Sequence, residues 1–273
     1  MEDEYDLSPV QSPKQVLVIG GGVSGCEAAI AAAMKGHKVT LIERTGRLGG
    51  QWIPASVPVG KSEFTSFIYW QKKMLEKLHV QVLLNTEADK ELIRLYEPDT
   101  LILATGSRPF IPSVKGTDQD FVTNAHDILL GKREAEDHVV VVGGLVGAET
   151  ADMLGGQCSQ VSIIEMLPQI MKDGEPSPAK YMKERFRANG VKIYTSTKLT
   201  EVGDHCVIAE REGESFTIEN VDTVIIAVGV RSDRSLLDHV EDLSCKIMKV
   251  GDANGVKNGY LGIREGFEAG LNA

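Results

Sequence analysis

The sequence of 273 residues predicts an α/β protein in which one strand–glycine loop–helix unit occurs twice. The first copy reads VLVIGGGVSGCE at 16–27, and the second reads HVVVVGGLVGAE at 138–149. Each copy starts with a continuous apolar run, typical of a strand buried in a parallel sheet, and a small-residue helical segment follows the glycines. The spacing of about 120 residues indicates a duplicated domain, since solenoid repeats are much shorter.

The segments around the first copy alternate between strands and helices. Gly36 ends the helix after the first loop, because glycine readily adopts the left-handed conformation of a helix terminus. Before residue 109, the patterns predict strands at 15–19, 37–43, 80–85 and 100–106, and helices at about 24–35, 61–78 and 88–96.

A connection with two prolines leads to the second copy and a second round of the same alternation. Three short alternating runs between 198 and 220 predict an antiparallel meander. The other patterns predict strands at 139–142, 160–165, 191–195 and 223–229, a strand ending at 249–253, and helices at about 146–154, 177–189 and from 261 onward.

Composition and charge exclude several classes of protein. The formal net charge of -10 argues against nucleic acid or an anionic membrane as a partner, because either would require a basic face. No apolar run approaches the roughly 20 residues of a membrane-spanning helix. The first 13 residues are acidic and polar, unlike a secretory signal, and predict a flexible lead-in.

The cysteines are scattered through the chain, without a C-x-x-C pair or a histidine-rich neighbourhood. This pattern favours neither a disulfide framework, nor a zinc or other metal site, nor a dithiol redox pair, and a reducing cytoplasm fits it best. The isolated thiols are expected to be core or surface groups rather than nucleophiles. They are Cys26, Cys158, Cys206 and Cys245.

The first glycine loop predicts a nucleotide site. Gly20 allows the tight turn, Gly22 lets the backbone approach a pyrophosphate, and Gly25 lets the helix lie close to the strand. The helix N-terminus then offers free N–H groups to the phosphates. Glu43 ends the next strand, where a carboxylate accepts hydrogen bonds from ribose hydroxyls.

The second loop keeps Gly144 and Gly147, but in an ungapped comparison Val142 stands in place of the turn glycine. A β-branched residue resists unusual backbone angles, so either the turn is reshaped or the strand runs one residue further. Glu165 matches Glu43 and should repel a 2′-phosphate, which favours NAD over NADP. The alternative is a degenerate copy that packs as a domain and binds no nucleotide.

An ordered set of motifs carries a family resemblance over Lys14 to Ala273. After the first loop come LIERTGRLGGQ at 41–51, LILATGSRP at 101–109, GGLVGAETA at 143–151, VIIAVG at 224–229 and VGDA at 250–253. Together they resemble flavoproteins with two dinucleotide-binding domains. The match is to the C-terminal FAD/NAD part of the dienoyl-CoA reductase, enoate reductase and trimethylamine dehydrogenase group, whose N-terminal part is a TIM barrel related to old yellow enzyme.

The resemblance implies two Rossmann-like domains, the second inserted in the first. The FAD-binding domain would comprise 14–108 and 225–273, and the NAD-binding domain 109–224. On the FAD side, the ADP half would be contacted by Gly20, Gly22, Gly25 and Glu43. Further along the cofactor lie Arg44, Arg47, Gly50 and Gln51. Backbone atoms would approach it from Ala104, Thr105 and Gly106.

Asp252 would meet the pyrophosphate and ribityl chain of FAD, although it can equally be a turn residue. On the NAD side, Gly144, Gly147 and Glu165 are the implied contacts. Glu149 would lie near the nicotinamide, with a capping or surface role on its helix as the alternative.

The sequence departs from these relatives in two ways. It lacks their barrel with its FMN and iron–sulfur cysteines, and it lacks the cysteine pair of disulfide reductases. No side chain is predicted to be catalytic, because the cofactors carry the chemistry.

The resemblance implies a module that takes hydride from NADH and passes electrons through FAD to a partner subunit or domain with FMN, iron–sulfur or both. The terminal substrate would have an activated carbon–carbon double bond, by analogy alone. Two alternatives remain: a non-redox ADP- or FAD-binding structural subunit, and a free-standing NADH oxidase or diaphorase.

Overall fold

The computed structural model describes residues 5–172 and 176–273. The described residues form two compact units. The first unit comprises those within Met1–Ser56, Glu63–Arg108 and Arg231–Ala273, and the second comprises those within Val57–Ser62 and Pro109–Val230.

The elements follow the alternation that the sequence predicts, with short additions of three to five residues. Up to residue 109 they are β1 (Gln15–Ile19), α1 (Val23–Met34), β2 (Lys38–Ile42), α2 (Trp52–Ala55), α3 (Phe64–Lys77), β3 (Gln81–Leu83), α4 (Lys90–Tyr96), β4 (Thr100–Leu103) and β5 (Ser107–Pro109). Next come β6 (Val122–Asn124), α5 (Ala125–Leu129), β7 (His138–Val142), α6 (Leu145–Leu154), β8 (Gln160–Ile164), α7 (Pro176–Ala188) and β9 (Lys192–Tyr194). The last are β10 (Thr197–Gly203), β11 (Cys206–Arg211), β12 (Glu214–Glu219), β13 (Thr223–Ile226), β14 (Val230–Ser232), α8 (Leu237–Val240), β15 (Lys246–Lys249) and α9 (Gly259–Leu271).

The sheet of the first unit has the order β15-β4-β1-β2-β3, and its strands are parallel. The chain leaves β1 toward β2 and later returns to β4 on the other side, so the switch point of the sheet lies at the carboxyl end of β1. Ligands of open α/β sheets bind at such a point. Helices α1 and α9 pack closely, because a Cβ at Gly266 would lie 2.1 Å from the Ser24 carbonyl oxygen and one at Gly270 would lie 2.3 Å from that of Ala28.

The second unit repeats this arrangement. Its parallel sheet has the order β6-β13-β7-β8-β9, which places the switch point at the carboxyl end of β7. The predicted meander is the antiparallel sheet β10-β11-β12, with a register shift between Leu199 and Glu201. Both faces of the parallel sheet are covered by buried apolar side chains.

The unit boundaries differ in two places from the ranges that the resemblance implies. The second unit extends to Val230 instead of ending at 224, because β13 pairs with β6 and β7. The segment Val57–Ser62 also clusters with the second unit, although it lies within the range 14–108.

The predicted lead-in covers residues 1–13, of which 1–4 lie outside the described residues. The described remainder contacts the first unit. The Tyr5 ring packs edge-on against Phe267 at 5.1 Å, and the Val10 N–H donates to the Lys35 carbonyl oxygen at 2.9 Å. Lys35 Nζ in turn donates to the backbone oxygen of Asp6. Within the described ranges, the helices are too short or too polar to cross a membrane.

Candidate dinucleotide-binding sites

The first glycine loop joins β1 to α1 at the switch point. Gly20 has φ +108°, its N–H donates to the Ile42 oxygen at 2.8 Å, and a Cβ there would lie 2.2 Å from the Ala104 oxygen. Gly25 is just as constrained, since its Cβ would lie 2.0 Å from the Gly20 oxygen. These two positions need glycine for the turn and for the helix–strand contact.

Gly22 is the exception in this loop. It caps α1 with φ −70° and ψ 173°, a conformation open to any residue, and a Cβ there would meet nothing closer than the Gly50 Cα at 4.0 Å. Neither the backbone angles nor the packing of the described residues therefore requires glycine at this position. An open, side-chain-free helix N-terminus fits the close approach of a phosphate.

Glu43 is held at the carboxyl end of β2 by three hydrogen bonds. Its Oε2 accepts from the Gly21 N–H at 2.7 Å, and its Oε1 accepts from the N–H and the hydroxyl of Thr45, each at 2.8 Å. A carboxylate has about four lone-pair sites, so a ribose hydroxyl can still donate to this one. The residue is 8% exposed, which leaves the acid fixed in place.

Two residues implied for FAD are joined by a side chain that the sequence analysis did not single out. Gln51 Nε2 donates to the Ser107 carbonyl oxygen at 3.2 Å and contacts its hydroxyl, and Ser107 Oγ donates to Asp252 Oδ2 at 2.7 Å. Asp252 lies in a 3-10 turn after β15, and its Oδ1 accepts from the Lys257 N–H at 3.2 Å. Ser107 lies within the run LILATGSRP, directly after the glycine. Its place in this motif is the only sequence feature that could have identified it as a site residue.

The segment Ala104–Gly106 follows β4, beside the glycine loop. The Ala104 N–H donates to the Ile19 oxygen at 2.8 Å, and Gly106 has φ +75°. Thr105 Oγ1 donates to the backbone oxygen of Asp233 at 2.8 Å. The segment thus presents backbone rather than charged side chains to the switch point.

Arg44 and Arg47 lie on the exposed loop after β2. Arg44 Nη1 is 3.6 Å from Asp233 Oδ2, which also accepts from Arg108 Nε at 2.8 Å. Burial raises the pKa of Asp233, but hydrogen bonds from Ser235 and Arg108 outweigh it and leave the pKa lowered. Asp233 therefore anchors Arg44, and the Arg47 side chain is exposed.

The second loop shows that Val142 is not a turn residue. Val142 is the last residue of β7, pairs with Ile164 and is 6% exposed. Gly143 makes the turn, with φ +88° and an N–H that donates to the Ile164 oxygen at 2.8 Å, just as Gly20 donates to Ile42. The sequence left two alternatives, a reshaped turn and a strand that runs one residue further, and the second is confirmed. The second glycine loop is therefore one residue shorter than the first.

Gly144 caps α6 and is bonded to the acid of the second unit. Its N–H donates to Glu165 Oε2 at 2.9 Å, and Glu165 Oε1 accepts from the Leu167 N–H at 2.8 Å. The angles φ +63° and ψ 178° belong to a region that only glycine occupies readily. Gly147 packs against Ala227, directly after β13, since a Cβ at this glycine would lie 3.1 Å from the Ala227 Cβ.

Exposed apolar side chains follow the carboxyl ends of β7, β8 and β13. Because parallel strands end at the same edge, these positions share the switch-point side of the second sheet. Isolated exposed apolar residues are normal, but a group at a ligand-binding edge indicates a surface for a flat, partly apolar ligand. The group consists of Leu145, Val146, Met166, Leu167 and Val228, which are 37–67% exposed.

Glu149 lies on α6, two residues after Gly147, and is 7% exposed. The alternative of a surface residue is therefore wrong. Its Oε1 forms an ion pair with Lys61 Nζ at 2.5 Å, and Lys61 belongs to the short segment that clusters with the second unit. A cation beside a buried carboxylate offsets the cost of burying its charge.

The cysteines are all free, and burial disfavours the thiolate form of three of them. Cys26 is buried in α1, where burial first, and then the nearby carboxylates of Glu43 and Glu27, raise the pKa of its thiol well above the ordinary range. Burial also raises the pKa of Cys158 and Cys245. A thiolate nucleophile needs the opposite shift.

Residues 14–255 match the family model of pyridine nucleotide-disulphide oxidoreductases. The chain belongs to this family. Membership confirms the predicted pair of Rossmann-like domains and the predicted class, an FAD-dependent NAD(P)H oxidoreductase. The family is named for disulphide chemistry, yet the cysteines of this chain are free and unpaired.

Similar proteins include members of the group that the motifs resemble, which confirms that resemblance. The chain is 35% identical to cinnamate reductase of Clostridium sporogenes over 99% of its own length and 41% of the relative. It is 37% identical to NADH oxidase of Thermoanaerobacter brockii over 97% of its length and 41% of the relative. A solved structure of 2-naphthoyl-CoA reductase with 2-naphthoyl-CoA has a TM-score of 0.93 and 31% identity, covering 98% of this chain and 41% of that one. The chain thus spans about two fifths of the length of these relatives.

Proposed function

We propose that this chain takes hydride from NADH and passes the electrons through FAD to a partner subunit or domain that carries FMN, iron–sulfur or both. The observation that supports this most is the pair of acid-anchored glycine loops, each at the switch point of its own parallel sheet. A bound FAD supplies a ring that accepts hydride and releases electrons to a further acceptor, which no side chain of the chain can do.

In the first unit, the residues fit FAD. The helix N-terminus at Gly22 binds the pyrophosphate, Gly20 and Gly25 shape the turn, and Glu43 accepts from the adenosine ribose. Gln51 and Asp252, coupled through Ser107, orient the cofactor beyond the pyrophosphate. The backbone of Ala104, Thr105 and Gly106 and the side chains of Arg44 and Arg47 line the rest of this site.

In the second unit, Gly144 and Gly147 shape the loop for NADH, and Glu165 accepts from the ribose of its adenosine. The Glu165 carboxylate disfavours the 2′-phosphate of NADPH, so NADH is preferred. Glu149 contacts the nicotinamide, with Lys61 compensating its charge. The exposed apolar group at the same edge provides contact area for the bases.

The partner is inferred from length and from the sequence. Relatives that include a cinnamate reductase are more than twice as long as this chain, which leaves room in them for a further redox domain. The chain offers no dithiol as a next electron carrier. Reduction of an activated carbon–carbon double bond would then take place on the partner.

The deciding experiment is the visible spectrum of the purified protein, followed by anaerobic titration with NADH. A yellow protein that bleaches with NADH is expected. A colourless protein, or one whose colour is indifferent to NADH, would contradict the proposal and support a structural nucleotide-binding role.

Glu165→Gln tests nucleotide choice, because it keeps an acceptor for Gly144 and removes the charge. The preference for NADH over NADPH in the bleaching reaction should fall by about tenfold, the order of one charge-assisted contact. Glu43→Gln in the first unit is the matched control and should leave that ratio unchanged. Equal ratios in all three proteins would show that Glu165 does not select the nucleotide.

A second candidate is a free-standing NADH oxidase, favoured by the 37% identity to the T. brockii NADH oxidase. The purified protein of the spectral experiment also distinguishes these two functions. Turnover of NADH in air, without any added partner, would support the oxidase, whereas bleaching without turnover supports the electron-transfer module.

A further inference from the structure

Gln51 and Asp252 lie on two segments that contact the start of the first unit's glycine loop and helix. The segment of Gln51 contacts the loop, because the Gly49 N–H donates to the Gly21 oxygen at 2.8 Å. The turn that contains Asp252 packs on the first turn of α1, since a Cβ at the preceding glycine would lie 2.5 Å from Ser24 Oγ. Both residues therefore lie beside the helix terminus that fits a pyrophosphate.

Asp252 is held by the two-stranded sheet β5-β14. Main-chain hydrogen bonds at both ends of this sheet, each 2.9 Å long, show that the strands are antiparallel and that Ser107 stands opposite Ser232. Side chains that stand opposite each other lie on the same face of a sheet. The Ser107 hydroxyl donates to Asp252 Oδ2 at 2.7 Å, and the Ser232 hydroxyl donates to the Asp252 backbone oxygen at 2.5 Å. This face of the sheet thus fixes both the side chain and the backbone of Asp252.

The hydrogen bonds of Ser107 have fixed directions. The amide nitrogen of Gln51 can only donate, so the Ser107 hydroxyl oxygen accepts from it. The single hydroxyl proton is then left for the Asp252 carboxylate, which accepts it. The Ser107 carbonyl oxygen can only accept, and it lies 3.2 Å from the same nitrogen, which assigns the nitrogen end of the Gln51 amide to this strand.

Both ends of this series of hydrogen bonds present acceptors. Within the described part of the chain, no donor is bonded to Gln51 Oε1. The Asp252 carboxylate accepts from Ser107 and from the Lys257 N–H, which leaves about half of its lone-pair sites open. Two acceptors favour a ligand that donates, such as a chain of hydroxyl groups, and disfavour phosphate oxygens, which accept.

We propose that Ser107 is a positioning residue that gives the first site its preference for FAD over ADP. The inference rests on the proposed function, which assigns FAD to this site. FAD and ADP share the adenosine and the pyrophosphate, but only FAD continues into a ribityl chain of hydroxyl groups. These hydroxyls are the donors that Gln51 and Asp252 fit, whereas the terminal phosphate of ADP meets a carboxylate of like charge. Ser107 acts mainly through Asp252, because it determines which carboxylate oxygens stay open.

Competition between FAD and ADP on the full FAD-loaded chain tests this inference. ADP is titrated at a fixed concentration of free FAD, displaced flavin is removed by ultrafiltration, and the flavin retained per chain is read from its visible absorbance. For Ser107→Ala, the ADP concentration that displaces half of the flavin should fall about tenfold, because the substitution removes a hydrogen bond to a charged group and keeps the backbone carbonyl. This measurement requires no turnover.

Ser235→Ala is the matched control. The Ser235 hydroxyl donates to Asp233 Oδ1 at 2.7 Å, so this variant also removes a serine–carboxylate hydrogen bond in the first unit, but one that does not involve Asp252. Its half-displacement concentration should stay within about twofold of the wild-type value. In an Asp252→Ala background, Ser107→Ala should have no further effect, because the two residues act as a unit. A full fall in Ser235→Ala, or in the Asp252→Ala background, would show general loosening of the unit and overturn the inference.

The outcomes separate this inference from the proposed function. Equal half-displacement concentrations in the wild type and Ser107→Ala, in a yellow protein that NADH bleaches, overturn the role of Ser107 and leave the proposed function standing. The expected fall, in a yellow protein that NADH does not bleach, supports the role of Ser107 and contradicts the proposed function. A wild-type protein that retains no flavin overturns both.

Discussion

Helices α1 and α6 occupy the same place in the two units, and each buries a glutamate two residues after its packing glycine. Glu27 on α1 is 8% exposed and Glu149 on α6 is 7% exposed. Their partners differ in charge. Glu27 accepts from the Gln71 amide at 2.9 Å, whereas Glu149 is paired with the Lys61 ammonium.

The partner decides how the burial of each acid is compensated. Burial raises the pKa of Glu27, and the hydrogen bond from Gln71 opposes this only in part. Glu149 has a full positive charge beside it, which offsets the cost of burying an ionised carboxylate. Duplication thus preserved the position of the acid, while the partner changed from a neutral amide to a cation.

The largest effect is expected from removing the cation. Lys61→Met leaves the Glu149 carboxylate buried without compensation and should lower the free energy of unfolding by about 3 kcal/mol. This value lies at the low end for a buried pair, because the Lys61 side chain is 31% exposed. Urea denaturation measures the loss.

The double variant Lys61→Met with Glu149→Gln is the control for this prediction. It removes both charges and should recover most of the lost stability. If the double variant is as unstable as Lys61→Met, the loss comes from packing of the lysine stem and the ion pair is not the cause.

An intermediate effect is expected at the two capping glycines. Gly144→Ala forces a side chain into a glycine-only conformation and against the Ala227 oxygen, and should cost about 2 kcal/mol. Gly22→Ala meets neither obstacle and should change stability by less than about 0.5 kcal/mol, while reducing FAD retention on gel filtration. Equal stability losses at the two positions would contradict the distinct geometries of the loops.

The sequence predicted the fold, the two glycine loops and the acid that follows each second strand, because those depend on local patterns, namely apolar runs, glycines and a following acid. The hydrogen bond from each loop to its acid was not predicted. The sequence left the turn of the second loop open between two alternatives, a reshaped turn and a longer strand. An ungapped comparison aligned Val142 with Gly20, since a one-residue deletion leaves the motif recognisable. Only the pairing of Val142 with Ile164 shows where the strand ends.

The partners of the site residues were beyond sequence reasoning for a different reason. Lys61 is 88 residues from Glu149 in the chain, and no sequence pattern around Lys61 predicts an ion pair between them. Ser107 was within a quoted motif, but its link from Gln51 to Asp252 depends on three distant segments meeting. Contacts of this kind follow from topology, which fixes which strand ends are neighbours.

The smallest effect is expected at Glu27, and its sign is opposite to that of Lys61→Met. A raised pKa in the folded protein means that the contribution of Glu27 to stability is complete below the ordinary glutamate value of about 4.3 and is lost as the pH rises through the folded value. Glu27→Gln removes this loss and also brings N–H donors near Gln71 Oε1, a buried acceptor without a hydrogen-bond partner among the described residues. Stability should therefore rise by about 1 kcal/mol at pH 8 and stay unchanged at pH 4, as judged by urea denaturation. A loss of stability at pH 8 would mean that Glu27 is held as a carboxylate after all, and that the two helices do not differ in the way their partners indicate.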